Sequence, residues 1–70
     1  MNEKNRKIVM EELSKSCGKP ETEIEETDKL VDLEIGQNAL DMIVIRTGNV
    51  INLNYQTATV AGLISQACRR

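Results

Sequence analysis

Met42-Ile43-Val44-Ile45-Arg46-Thr47-Gly48-Asn49-Val50-Ile51-Asn52-Leu53-Asn54-Tyr55 is the stretch whose reading decides the fold. Its first four residues are continuously apolar and mostly β-branched. One reading extends them back to Asn38, which can cap a helix, with Asp41 in the first turn where the helix dipole favours an anion. Leu40, Ile43, Val44 and Thr47 then share one face, which predicts a helix over 39–47 that Gly48-Asn49 ends. The other reading makes 42–46 a strand and Thr47-Gly48-Asn49 a turn. Ile51, Leu53 and Tyr55, alternating with Asn52 and Asn54, then form the second strand of a hairpin over 42–55. Periodicity does not separate a short buried helix from a buried strand. The helix leads to an all-α bundle. The hairpin leads to an α+β module, whose lone two-stranded sheet would need support from helices or from a second chain across its edge.

The flanks are less equivocal. Residues 3–17 carry Val9, Leu13 and Cys17 at four-residue spacing, widened by Ile8 and Met10, and predict a helix that Gly18 and Pro20 stop. Residues 18–37 read as a long loop with apolar points at Ile24, Leu30, Val31, Leu33 and Ile35. Loops of that length in small domains are functional or well anchored, and these side chains can pin it to the helices. The last helix is the clearest. Val60, Leu63, Ile64, Ala67 and Cys68 follow the i, i+3, i+4, i+7, i+8 pattern, Thr57 or Thr59 can cap it, and Arg69 and Arg70 suit its C-terminal end.

Seventy residues allow one domain, 1–70. Such a chain buries only about 60% of the surface its unfolded form exposes, so its stability is modest. Tyr55 is the single aromatic residue, with no Phe and no Trp. The core must come from aliphatic side chains, which favours packed helices. The net charge is −2, unevenly spread. Glu21, Glu23, Glu25, Glu26, Asp28, Asp32, Glu34 and Asp41 face one lysine, Lys29, in the middle of the chain, while Lys4, Arg6, Lys7, Lys15, Arg69 and Arg70 occupy the ends. An acidic middle is the opposite of a nucleic-acid footprint. No run approaches the ~20 apolar residues of a membrane span and no secretory leader is visible, so the expectation is a cytoplasmic protein without membrane partners. Cys17 and Cys68 are expected as reduced thiols, although each lies near a predicted helix end and a bridge between them is conceivable. With no histidine, two cysteines make no zinc site.

The residues around the second helix, Ile35-Gly36-Gln37-Asn38-Ala39-Leu40-Asp41-Met42-Ile43, resemble the acyl carrier proteins. The pattern in that family is a hydrophobic residue, Gly, any residue, then Asp-Ser-Leu opening a helix. The approach is similar too: Lys7-Ile8-Val9-Met10-Glu11-Glu12-Leu13 looks like the family's first helix, and Asp28-Lys29-Leu30-Val31 like the end of its acidic loop. Thr59-Val60-Ala61-Gly62-Leu63-Ile64 is similar to the start of its last helix. The likeness touches most of the chain, through short motifs in the right order. It implies a small carrier-like helical bundle with a long first loop, a prosthetic-group site at Gly36, Asn38, Ala39 and Leu40, and partner contacts at Asp41, Met42 and Arg46 on a second helix from which the family's usual acidic docking face is largely missing.

The departures from the pattern matter more. Ala39 stands where the family has the serine that receives 4′-phosphopantetheine, and a methyl group cannot attack the phosphate of coenzyme A. Asn38 replaces the neighbouring aspartate. The span from Ala39 to Val60 is several residues short, which implies a shortened second helix, an absent third one and a reduced lipid-sheltering cavity. The resemblance therefore implies a carrier relative that holds no cofactor and works through a protein partner, as a monomer or weak dimer. Catalysis lacks an inventory: there is no histidine to pair with a nucleophile and no Gly-rich phosphate loop. Glu21, Glu23, Glu25 and Glu26 read as a solvated acidic loop, and Ser14, Ser16 and Ser65 lack the motif context of an attachment site.

Overall fold

The computed structural model describes residues 3–68. It contains three helices: α1 over Glu3–Cys17, α2 over Gln37–Thr47 and α3 over Val60–Ala67. Arg69 and Arg70, expected at the end of the last helix, lie outside the described residues. α1 packs against both other helices. The chain is all-α, and no strand forms among the described residues apart from one isolated antiparallel bridge between Lys29 and Thr59.

The hairpin over 42–55 is therefore overturned, and the reason lies in Thr47-Gly48. The Thr47 hydroxyl donates back to the Ile43 carbonyl at 2.6 Å, and Gly48 takes the left-handed conformation, φ 73°, with its N–H on the Val44 carbonyl. A glycine at positive φ closes a helix as readily as it turns a hairpin. Leu40 and Ile43 point into the core, with Val44 and Thr47 half-buried beside them, so the helical face is the one the spacing predicts. The start of α2 differs from expectation. Gly36 is the N-cap, without a side-chain cap bond, and Asn38 is the second helical residue rather than the cap. Asp41 consequently lies beyond the first turn, where it accepts from Gln37 Nε2 at 3.0 Å.

α1 matches its expected bounds, and Gly18 ends it at φ 75° with its N–H on the Ser14 carbonyl. α3 is capped by Thr59, whose Oγ1 accepts from the Gly62 N–H. The other opening donors of α3 go to the long loop: Val60 N–H to the Asp28 carbonyl and Ala61 N–H to that of Glu26, both at 2.9 Å. The loop is thus stitched to a helix end whose N–H groups need partners. It contains one 3₁₀ turn, Glu21–Glu23, and it buries Ile24, Leu30, Leu33 and Ile35 in the same cluster as Val9, Leu13, Ile43, Val60 and Leu63. Of its five apolar points only Val31 stays half-buried.

Between Gly48 and Thr59 the chain forms a strap with a single turn at 55–57. The expected loss of a helix there agrees with this path. Ile51, Leu53 and Tyr55 pack on the core, while Val50, Asn52 and Asn54 face outward. The Tyr55 hydroxyl donates to the Ile35 carbonyl at 2.7 Å and joins the strap to the end of the long loop.

Both cysteines are half-buried, and neither is part of a disulfide. Asn5 Nδ2 donates to the Ala67 carbonyl, which sets the end of α3 beside the start of α1. Cys17 lies at the far end of α1, twelve residues or roughly 18 Å along the helix. Cys68 follows Ala67 directly, so the two thiols are far outside the ~7 Å Cα limit of a disulfide.

Candidate functional site

Gly36, Asn38 and Ala39 come together with Met42 in a groove of about 320 Å³, whose other wall is Glu12, Lys15 and Ser16 of α1. Gly36 donates its N–H to Ser16 Oγ at 3.0 Å, which fixes the start of α2 against the end of α1. The N–H groups of Gln37 and Asn38 have no acceptor among the described residues, as the open first turn of an uncapped helix leaves them. Ala39 is only 8% exposed, and its methyl group belongs to the hydrophobic core. Leu40 is also buried and turns away from this groove toward the strap. The four residues of the expected prosthetic-group site therefore divide into an exposed pair, Gly36 and Asn38, and a buried pair, Ala39 and Leu40.

The expected partner-contact residues also separate. Asp41 borders a slot of about 180 Å³ between α2 and the strap, whereas Met42 and Arg46 face α1 across an open groove of about 500 Å³. Met42 is exposed, and Ile45, at 71%, is the most exposed large apolar side chain on α2. The run Ile43-Val44-Ile45 reads in the sequence as core, and Ile45 corrects that reading: i+7 from Asn38 and i+4 from Asp41 put it on the outer face of α2.

Arg46 is less available than its position suggests. Its guanidinium forks across two successive carboxylates of α1, Nη1 to Glu12 Oε2 at 2.7 Å and Nη2 to Glu11 Oε1 at 3.0 Å. Hydrogen bonding to Glu12, then to Glu11, raises its pKa above the ordinary arginine value, against a smaller opposing effect of burial. Glu12 is one of two buried polar residues among the described residues, 8% exposed at its side chain, and Lys15 Nζ approaches it at 3.8 Å. The spacing of Val9, Leu13 and Cys17 carries no sign of this. Only the solitary arginine of α2, opposite Glu11-Glu12 of α1, hinted at it.

Among the described residues no group of three Cys, Asp or Glu side chains is placed to hold a metal ion, and no helix is long and apolar enough to cross a membrane. Ser16 is the hydroxyl nearest the start of α2, and its spatial position was invisible in the sequence, twenty residues away from Gly36. The chain matches no protein-family model, no curated protein and no solved structure.

Proposed function

We propose that this chain is a non-catalytic acyl-carrier-like domain that holds no 4′-phosphopantetheine and acts through contacts with a protein partner. The single observation that carries the reading is position 39. In the ordered set of motifs it matches the acceptor serine, yet it offers a methyl group buried in the core. Attachment requires an exposed hydroxyl oxygen to attack phosphorus, and these residues do not fit that group. The order of elements supports the likeness: a 15-residue helix, a long acidic loop, an 11-residue helix opening after Gly36 and a threonine-capped last helix. The surface left for a partner is the outer side of α2, where Asp41, Met42 and Ile45 are exposed.

The test is to incubate the protein with coenzyme A and a broad-specificity phosphopantetheinyl transferase and to weigh it. The wild-type chain should not change mass. A gain on wild type, at Ser16 or any other hydroxyl, overturns the non-carrier reading. Ala39→Ser should gain the group slowly, because residue 39 is only 8% exposed, at the edge of the groove between α1 and α2. An Ala39→Ser chain that stays unmodified at long times removes the support for aligning position 39 with the acceptor serine.

A further inference from the structure

The strap between α2 and α3 has the backbone of Asn52 engaged on one side by α3. Asn52 is clamped by the side chain of Gln66 in α3: its N–H donates to Oε1, and its carbonyl accepts from Nε2 at 2.7 Å. One carboxamide satisfying both backbone groups of one residue is the pattern of an extended chain, in which N–H and C=O of a residue point to the same side. The alternation of burial from Val50 to Tyr55 has the same period of two. The backbone groups of Ile51 and Leu53 must then point to the opposite side, away from α3. Among the described residues no hydrogen bond reaches the N–H or C=O of either.

A slot of about 180 Å³ lies between the strap and α2, next to Ile51 and Leu53, and no residue of α3 lines it. Leu40 and Val44 from α2 meet Ile51, Leu53 and Tyr55 from the strap across it. Its lining is polar and apolar in about equal measure, and its one charge is the exposed carboxylate of Asp41, one oxygen of which accepts from Gln37 Nε2. An unpaired backbone edge next to a slot with aliphatic walls and one carboxylate has the parts of a strand-addition site, in which main-chain bonds supply affinity and alternate side chains supply selectivity.

We propose that residues 50–54 accept an extended segment of a partner protein as an added strand. An aliphatic side chain of that segment sits between Val44 and Leu53, and a lysine or arginine one position away lies beside Asp41. The occupant is a single extended segment rather than the strap of a second copy. α2 borders the slot in every copy, so two straps meeting edge to edge would drive each α2 into its neighbour. This inference does not depend on the carrier-like reading, because it uses neither Ala39 nor the start of α2.

The experiment is an NMR titration of the ¹⁵N-labelled 70-residue protein with the peptide acetyl-Lys-Val-Thr-Val-Lys-amide at millimolar concentration. The amide protons of Ile51 and Leu53 should move downfield and exchange more slowly. N-methylating every second residue of the peptide in one frame should weaken binding about tenfold, since it removes two hydrogen bonds, and the other frame should leave it nearly unchanged. Replacing both lysines of the peptide by glutamate should abolish binding to the wild-type protein and restore it to Asp41→Lys, a change at an exposed position that leaves the core intact. The proposal is overturned by any of three results. They are no shift at Ile51 and Leu53, largest shifts on Met42 and Ile45 instead, and equal weakening by both N-methylation frames. Concentration-dependent broadening of Ile51 and Leu53 without peptide would assign the edge to self-pairing and overturn it as well.

Discussion

Tyr55 shows how one residue can do structural work that its neighbours in sequence do not announce. It is the only aromatic side chain, and along the chain it looks like the last tooth of an alternating strand. In the structure its ring lies half-buried on the core and its hydroxyl donates to the Ile35 carbonyl, closing two irregular segments onto each other. Tyr55→Phe keeps the ring and removes the donor. The expected loss is about 1 kcal/mol, the typical net value of one hydrogen bond. It is read as a lower urea midpoint at unchanged slope. An unchanged midpoint would mean that water replaces the hydroxyl without cost. The alternation of Ile51, Leu53 and Tyr55 did forecast which side chains face the core. It could not forecast the Ile35 carbonyl, because a hydrogen bond between two loops has no period. Position 39 has the same character: the missing hydroxyl is plain in the sequence, but the burial of its methyl group depends on α2 starting at Gln37 instead of after Asn38.

At the scale of elements, the helices were legible because amphipathic spacing is a local property. α1 and α3 were readable from the recurrence of Val9 and Leu13 and of Val60, Leu63, Ile64 and Ala67, all buried. α2 was not, because Met42 to Ile45 satisfies a strand as well as a helix, and Gly48 suits either ending. What holds α2 against α1 was hidden for a different reason: an interhelical ion pair links residues thirty-four and thirty-five apart. Arg46 binds as a planar fork, which lysine cannot imitate. Arg46→Lys should therefore lower the melting temperature, and Arg46→Ala should lower it further, since it leaves the buried Glu12 carboxylate with only Lys15 at 3.8 Å. Raising NaCl to about 1 M should shrink the gap between wild type and Arg46→Lys, because the Glu11 arm is solvent-screened. The pH dependence carries a sign. The folded pKa of Arg46 is raised, so its contribution is fully present below the unfolded value and is lost only as pH rises through the folded one. Arginine titrates far above neutrality. The gap between wild type and Arg46→Ala that arises from this titration should stay flat from pH 6 to 9. A slope there would have to come from another group.

For the molecule as a whole, the question is what makes seventy residues with one aromatic side chain hold a single structure. The three helices leave the core incomplete, and the long loop finishes it. Leu30 has no solvent exposure, like Leu13 of α1 and Leu63 of α3, although it sits in a segment with no regular structure. Its N–H bonds to the Ala58 carbonyl, and the carbonyls of Asp28 and Glu26 cap α3, so the loop is tied by backbone at its buried side chain and just before it. A solvated connector would tolerate truncation, whereas a core layer would not. Leu30→Ala should therefore cost as much as Leu63→Ala, about 2–5 kcal/mol each. A domain of this size holds roughly 4–10 kcal/mol in all, so either change should leave a population visibly unfolded at 37 °C. Circular dichroism and denaturant titration of the two variants decide the matter. Equal losses make the loop part of the core. A loss below about 1 kcal/mol for Leu30→Ala beside a full loss for Leu63→Ala would make the loop a cover laid over a bundle already stable without it.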